Sequence, residues 1–137
     1  MENESAVARR SRRRPGENRA RLLSAGILEF GRLGYRGAST TAIAAIAEVP
    51  QPHVYTNFRT KQELFLGCVD RAASALQGGA SAEDPEALAR LVLQAVAALG
   101  EGTLRPELEP LLTRLQESLG GAAFDALLVR GARSLLS

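Results

Sequence analysis

An all-α fold is predicted by four features of the sequence. Hydrophobic residues make up 45% of the 137 positions but aromatics only 4%, so the core must be aliphatic. The alanine- and leucine-rich composition lacks β-branched runs, which favours helices over strands. Apolar residues recur at three- and four-residue spacing along most of the chain. Finally, proline, glycine and short hydroxyl or acidic residues stand where those periodic stretches begin and end. Together they imply a three-helix domain containing a helix-turn-helix, joined by a fourth helix to a small helical C-terminal layer.

Residues 1–16 read as a basic flexible arm closed by Pro15-Gly16. A first helix is expected from Glu17 to Leu33, where Leu23, Ile27 and Phe30 form a stripe widened by Leu22 and Ala25. Gly34 and Gly37 should stop it. Ser39 is an N-cap candidate for a second helix, with Thr40 and Thr41 in its first turn and Ile43, Ile46 and Ala47 on one face. A third, short helix spans 52–58, with Pro52 in its first turn, where a missing N–H costs nothing. Val54 and Phe58, four apart, face inward; Gln51, His53, Thr56 and Asn57 are left outward, with Tyr55 at the margin. Thr60 followed by Glu63 is a capping-box pattern opening the fourth helix, which runs through Leu64, Cys68, Ala72 and Ala75 to Gly78-Gly79.

The rear layer begins at Asp84, an N-cap followed by Pro85, and carries the stripe Leu88, Leu91, Val92, Ala95, Val96 and Leu99. That stripe reads as core or dimer surface. A helix beginning near Pro106 or Pro110 should run to Leu119, and a last one from Ala122 carries Phe124, Leu127, Leu128 and Leu135.

Composition narrows the function. Residues 1–71 hold twelve Lys/Arg against seven Asp/Glu, whereas residues 72–137 hold five against eight. The overall +2 therefore divides into a basic front and a mildly acidic rear, and the front suits a polyanion. Its densest part is "RRSRRR", placing Arg9, Arg10, Arg12, Arg13 and Arg14 where they could neutralise phosphates or enter a narrow minor groove. The single cysteine excludes a disulfide framework and a cysteine-rich zinc site; Cys68 reads as a small buried hydrophobe. One histidine, one cysteine and no glycine-rich phosphate loop leave little for an enzyme, a cofactor or a metal. No signal-peptide core or bilayer-length apolar run is present, so a cytoplasmic protein with no membrane partner is expected.

A seven-residue helix is unstable alone, so packing must hold it, and one that presents polar groups outward suits the major groove of double-stranded DNA. The preceding helix, entered by Ser39, Thr40 and Thr41, offers hydroxyls and backbone N–H groups to a phosphate. The stretch "RLLSAGILEFGRLGYRGASTTAIAAIAEVPQPHVYTNFRTKQELF" resembles the DNA-binding region of the TetR-family transcriptional regulators over roughly residues 17–70. The matching landmarks are Phe30, Gly34, Tyr35, Ser39, Ile43-Ala44, Ala47, Val49, Tyr55, Phe58, Lys61 and Leu64. The resemblance implies that Thr40 and Thr41 meet the phosphate backbone and groove edge, and that Gln51, Pro52 and His53 lead into the bases. It implies phosphate contacts for Tyr55, Asn57 and Lys61, with Thr56 on the same outward face. It also implies that the fourth helix couples ligand binding to release of DNA.

Three positions depart from that pattern. Glu48 stands where the family usually has glycine; in a left-handed conformation it costs about 1 kcal/mol or more. Pro50 replaces the usual serine-like cap, losing a side-chain hydrogen bond. Beyond residue 78 there is room for about three helices at ordinary helix lengths, so the regulatory half looks shortened. The organisation expected is a basic arm over 1–16, a helix-turn-helix domain over 17–60, and a linker helix with a shortened regulatory or dimerisation region over 61–137.

The expected function is a ligand-responsive repressor binding a palindromic operator as a homodimer, because one helix reads too few bases alone. A small apolar effector is a further expected partner. Leu91, Leu112 and Phe124 mark one place where a pocket could exist, but nothing in the sequence selects a ligand or its binding residues. The alternative is a truncated regulator acting as an interaction protein, pairing with relatives through its rear helices without stable operator binding.

Overall fold

The computed structural model describes residues 13–79 and 81–137; Arg9, Arg10 and Arg12 of the basic arm lie outside them. The described residues form seven α-helices and no strand: α1 Glu17–Gly37, α2 Thr40–Ala47, α3 Gln51–Asn57, α4 Lys61–Leu76, α5 Pro85–Ala97, α6 Arg105–Leu119 and α7 Gly121–Leu135. One turn of 3-10 helix, Ala98–Gly100, follows α5. None of these helices is long and apolar enough to cross a membrane.

Local signals account for most boundaries. Asp84 accepts a hydrogen bond from Ala87 N–H, with Pro85 opening α5. α1 continues past the expected stop, but only after a break: Gly34 adopts φ 81°, ψ 173°, where helical geometry is interrupted before a last turn to Gly37. A positive φ favours glycine there. α6 starts at the earlier of the two expected places, with Pro106 in its first turn and Pro110 inside the helix. Pro110 removes one backbone bond on an exposed face, while Leu108, Leu112 and Leu115 are buried on the opposite side.

One apolar core runs from front to rear. In the front, Phe30 meets Phe65 edge-on at 4.9 Å between ring centroids, and Tyr35 packs against both rings. Cys68 lies fully buried, its Sγ 3.5 Å from the Leu23 carbonyl oxygen, and burial pushes its thiol pKa far up. In the rear, α5 lies between α1 and α7, with Leu88, Leu91, Val92 and Ala95 of its stripe buried. Gly131 on α7 permits the closer of the two approaches: a Cβ there would fall 2.5 Å from the Ala89 carbonyl oxygen.

Two expectations are corrected. Ile46 is 47% exposed, and Ala44 takes its place beside Ile43 and Ala47; at 100° per residue, Ile46 falls off the edge of that face. Leu135 is also exposed rather than part of the apolar stripe of α7. Leu91, Leu112 and Phe124 are buried in the common core.

Polar contacts fasten rear to front. Gln94 Nε2 donates to the Gly31 carbonyl (3.2 Å) and Gln62 Nε2 to the Thr103 carbonyl (3.2 Å). The Arg36 guanidinium pairs bidentately with Glu101, which holds the Glu101 carboxyl below the usual range. Glu83, in the connection between α4 and α5, is 7% exposed at its side chain. Burial alone would raise its carboxyl pKa, but hydrogen bonds from Ser24 and Ser81 and the nearby Arg71 guanidinium bring it below the usual carboxylate value.

Candidate nucleic-acid interface

Helices α2 and α3 meet through a turn that Glu48 makes. Its φ of 56° and ψ of 45° are left-handed, at the only non-glycine positive φ among the described residues. The Val49 N–H bonds the Ala44 carbonyl at 3.0 Å, a Schellman closure that satisfies the end of α2. Val49 is buried beneath it. Pro50 then supplies no side-chain cap, although its carbonyl accepts from His53 N–H at 2.9 Å.

The seven residues of α3 sort as their spacing predicts. Val54 and, just past the helix, Phe58 are each 1% exposed. Pro52, His53, Tyr55 and Thr56 are exposed, and Gln51 and Asn57 half-buried. Thr56 Oγ1 donates to the Pro52 carbonyl (3.2 Å) and Asn57 Nδ2 to the His53 carbonyl (2.8 Å). Those bonds hold both side chains against their own helix and leave the second N–H of the Asn57 amide, with its Oδ1, for outside partners. Tyr55 is 52% exposed, and its hydroxyl lies 3.2 Å from Thr40 Oγ1. That pair ties α3 to the first turn of α2.

The remaining candidates surround α3. Ser39 accepts from Ala42 N–H at 2.9 Å, so its side chain is spent on capping; Thr41 is exposed beside it. Thr60 caps α4 by accepting from Glu63 N–H (3.0 Å), and Glu63 in turn accepts from Arg59 N–H (3.0 Å). Lys61 Nζ lies 5.0 Å from the centre of the Tyr35 ring and donates to the Arg36 carbonyl at 3.4 Å, at the end of α1. Arg14 is exposed.

Arg13 does something the sequence did not signal. Its Nη1 donates both to Asn18 Oδ1 and to the Glu48 carbonyl, each at 3.0 Å. Asn18 Nδ2 lies 3.4 Å from His53 Nδ1. The base of the arm is thereby fastened to the turn between α2 and α3, beside a cleft of about 340 Å³ lined by Arg13, Arg14, Asn18, His53, Thr56 and Asn57. Arg19, equally unsignalled, places its guanidinium 4.5 Å from the centre of the Phe58 ring.

Residues 22–68, which span α1 through the first half of α4, match the family model of the bacterial regulatory proteins of the tetR family. That segment is similar to the N-terminal region of the TetR family. Among solved structures it is similar to a protein from Streptomyces coelicolor described as a transcriptional regulator. The two are 28% identical over 76% of this chain and 60% of that one, with a TM-score of 0.45. It is also similar to a TetR-family regulator from Mesorhizobium loti (21% identity, 88% of this chain and 68% of that one, TM-score 0.39). A TetR-family protein from Vibrio parahaemolyticus gives 22% identity over 86% of this chain and 64% of that one, with a TM-score of 0.38. The chain thus spans less than two thirds of the Streptomyces and Vibrio proteins. None of the curated proteins matches it significantly. The TetR-type region begins within α1, so Arg13 and Asn18 lie just outside the matched segment.

Proposed function

We propose that the protein is a DNA-binding transcriptional regulator, a repressor that occupies a palindromic operator as a homodimer and leaves it on binding a small apolar effector. The observation that carries this reading is α3 itself. Two buried anchors fix it while His53, Tyr55 and Thr56 face outward from a basic front, which is the presentation that major-groove reading requires. Gln51, Pro52 and His53 then lead into the bases. Thr40, Thr41, Tyr55, Asn57 and Lys61 hold phosphates, with Arg14 and the arm residues Arg9, Arg10 and Arg12 adding counterion release. The TetR-family match supports repression and effector response as the mode of regulation, and the exposed Val129, Leu135 and Leu136 on and just beyond α7 offer apolar surface to a second copy.

The test is selection by the purified protein from a random double-stranded DNA pool, followed by sequencing. A two-fold symmetric motif is expected. A single half-site would overturn the dimer, and no enrichment over the starting pool would overturn the regulator reading in favour of a protein–protein partner. Lys61→Ala should weaken all bound sequences alike and flatten the salt dependence, whereas Gln51→Ala should change which sequences are chosen.

A further inference from the structure

Base reading by His53, on which the following rests, depends on which ring nitrogen carries the proton. An imidazole with its proton on Nε2 offers a donor to the groove, whereas one with its proton on Nδ1 offers an acceptor there. The surroundings of His53 decide between them. The Arg13 guanidinium has only donors, so the amide atom facing it at 3.0 Å must be Asn18 Oδ1. The same Nη1 is held by the Glu48 carbonyl, so the left-handed turn fixes the guanidinium in place. With Oδ1 committed, Asn18 turns its NH2 group towards His53 Nδ1. A proton on Nδ1 would set two donors face to face; the lone pair is the partner that fits. Nε2, on the far side of the exposed ring, then carries the proton and has no hydrogen-bond partner among the described residues.

We infer that Asn18, itself oriented by Arg13, is a positioning residue that sets the His53 tautomer, and that His53 therefore selects a base edge bearing an acceptor. In the major groove such edges are purine N7, guanine O6 and thymine O4; the cytosine amino group is a donor and is disfavoured. Asn18 need not touch DNA to do this. It acts through the ring, from a place 35 residues away in sequence.

Two measurements test the relay and separate its failure from failure of DNA reading. His53 is the only histidine, so its ring-nitrogen chemical shifts in the free protein are assigned without ambiguity. The Nε2–H pattern is expected in the wild type and its loss in Asn18→Asp, whose carboxylate accepts a hydrogen bond from Nδ1–H; an Nδ1–H pattern in the wild type overturns the inference without involving DNA. The second measurement repeats the selection with His53→Ala, Asn18→Ala and Asn18→Asp. His53→Ala identifies the base pair it reads, and a motif unchanged by it refutes base reading by His53 and the relay with it. At that base pair, Asn18→Ala should relax the preference about fivefold or more and Asn18→Asp should shift it towards cytosine, leaving the other positions alone. Equal weakening at every position would mean a structural role for Asn18 and would sink the inference. Retained preference at the base pair that His53→Ala identifies would sink it as well.

Discussion

Helix α3 is seven residues long and buries only Val54 within its span, whereas α5 is thirteen residues long and buries Ala87, Leu88, Ala89, Leu91, Val92 and Ala95. The first is fastened at its edges: a Schellman turn before it, Phe58 after it, and hydroxyl and amide contacts to α2 and to Asn18 at the start of α1. The second is gripped along its flanks by α1 and α7. A helix that must show a polar face cannot draw stability from that face, so its position is fixed by what stands at either end. A helix with no outward task can be covered on two sides and draws its stability from contact area.

That contrast can be broken most sharply at Phe58. Phe58→Ala removes the larger of two anchors and the ring beneath the Arg19 guanidinium, and should cost about 3–5 kcal/mol. Denaturant unfolding would measure it, and a loss below about 1 kcal/mol would mean that α3 is held some other way. The flanks of α5 are tested next, by a pair of glycines. Gly131→Ala drives a Cβ to 2.5 Å from the Ala89 carbonyl oxygen and 2.8 Å from its carbon, which should cost about 1–3 kcal/mol. At Gly31 the nearest atoms to a new Cβ lie at an ordinary 3.4 Å, so Gly31→Ala should be neutral or stabilise by up to about 1 kcal/mol. Equal effects at the two sites would show that the α5–α7 approach is no closer than the α1–α5 one.

A smaller gain is expected in the turn before α3. Glu48→Gly relieves a left-handed side chain and should stabilise by about 1 kcal/mol, seen as a higher melting temperature; a lower one would show that Glu48 contributes more than its strain removes. The smallest effect is one of pH. The folded Glu83 carboxyl lies below its ordinary pKa, so its contribution is complete above about pH 4.3, the unfolded value, and is lost as pH falls through the folded value. The gap in melting temperature between wild type and Glu83→Gln should therefore be flat near neutrality and close on acidification. A gap that widened in acid would contradict the depressed pKa.

What the sequence made legible was local. Ser39, Thr60 with Glu63, and Asp84 with Pro85 announce helix starts because a cap binds a backbone N–H two or three residues on. Val54 and Phe58 announce an inward face because they stand one turn apart. Ile46 misled because an isoleucine in a helix of eight residues can lie just off the buried edge without changing the pattern. Asn18 was invisible for a different reason: its amide matters through Arg13, Glu48 and His53, and only the folded turn brings those four together.

Cys68 gives the shared core a clock. It is the sole thiol of the chain, sealed between α1 and α4 where ionisation is strongly opposed, and only the thiolate reacts with an alkylating reagent. Labelling can therefore proceed only in the moments when α1 lifts from α4. The rate at which the native protein takes up such a label counts how often the front of the molecule opens.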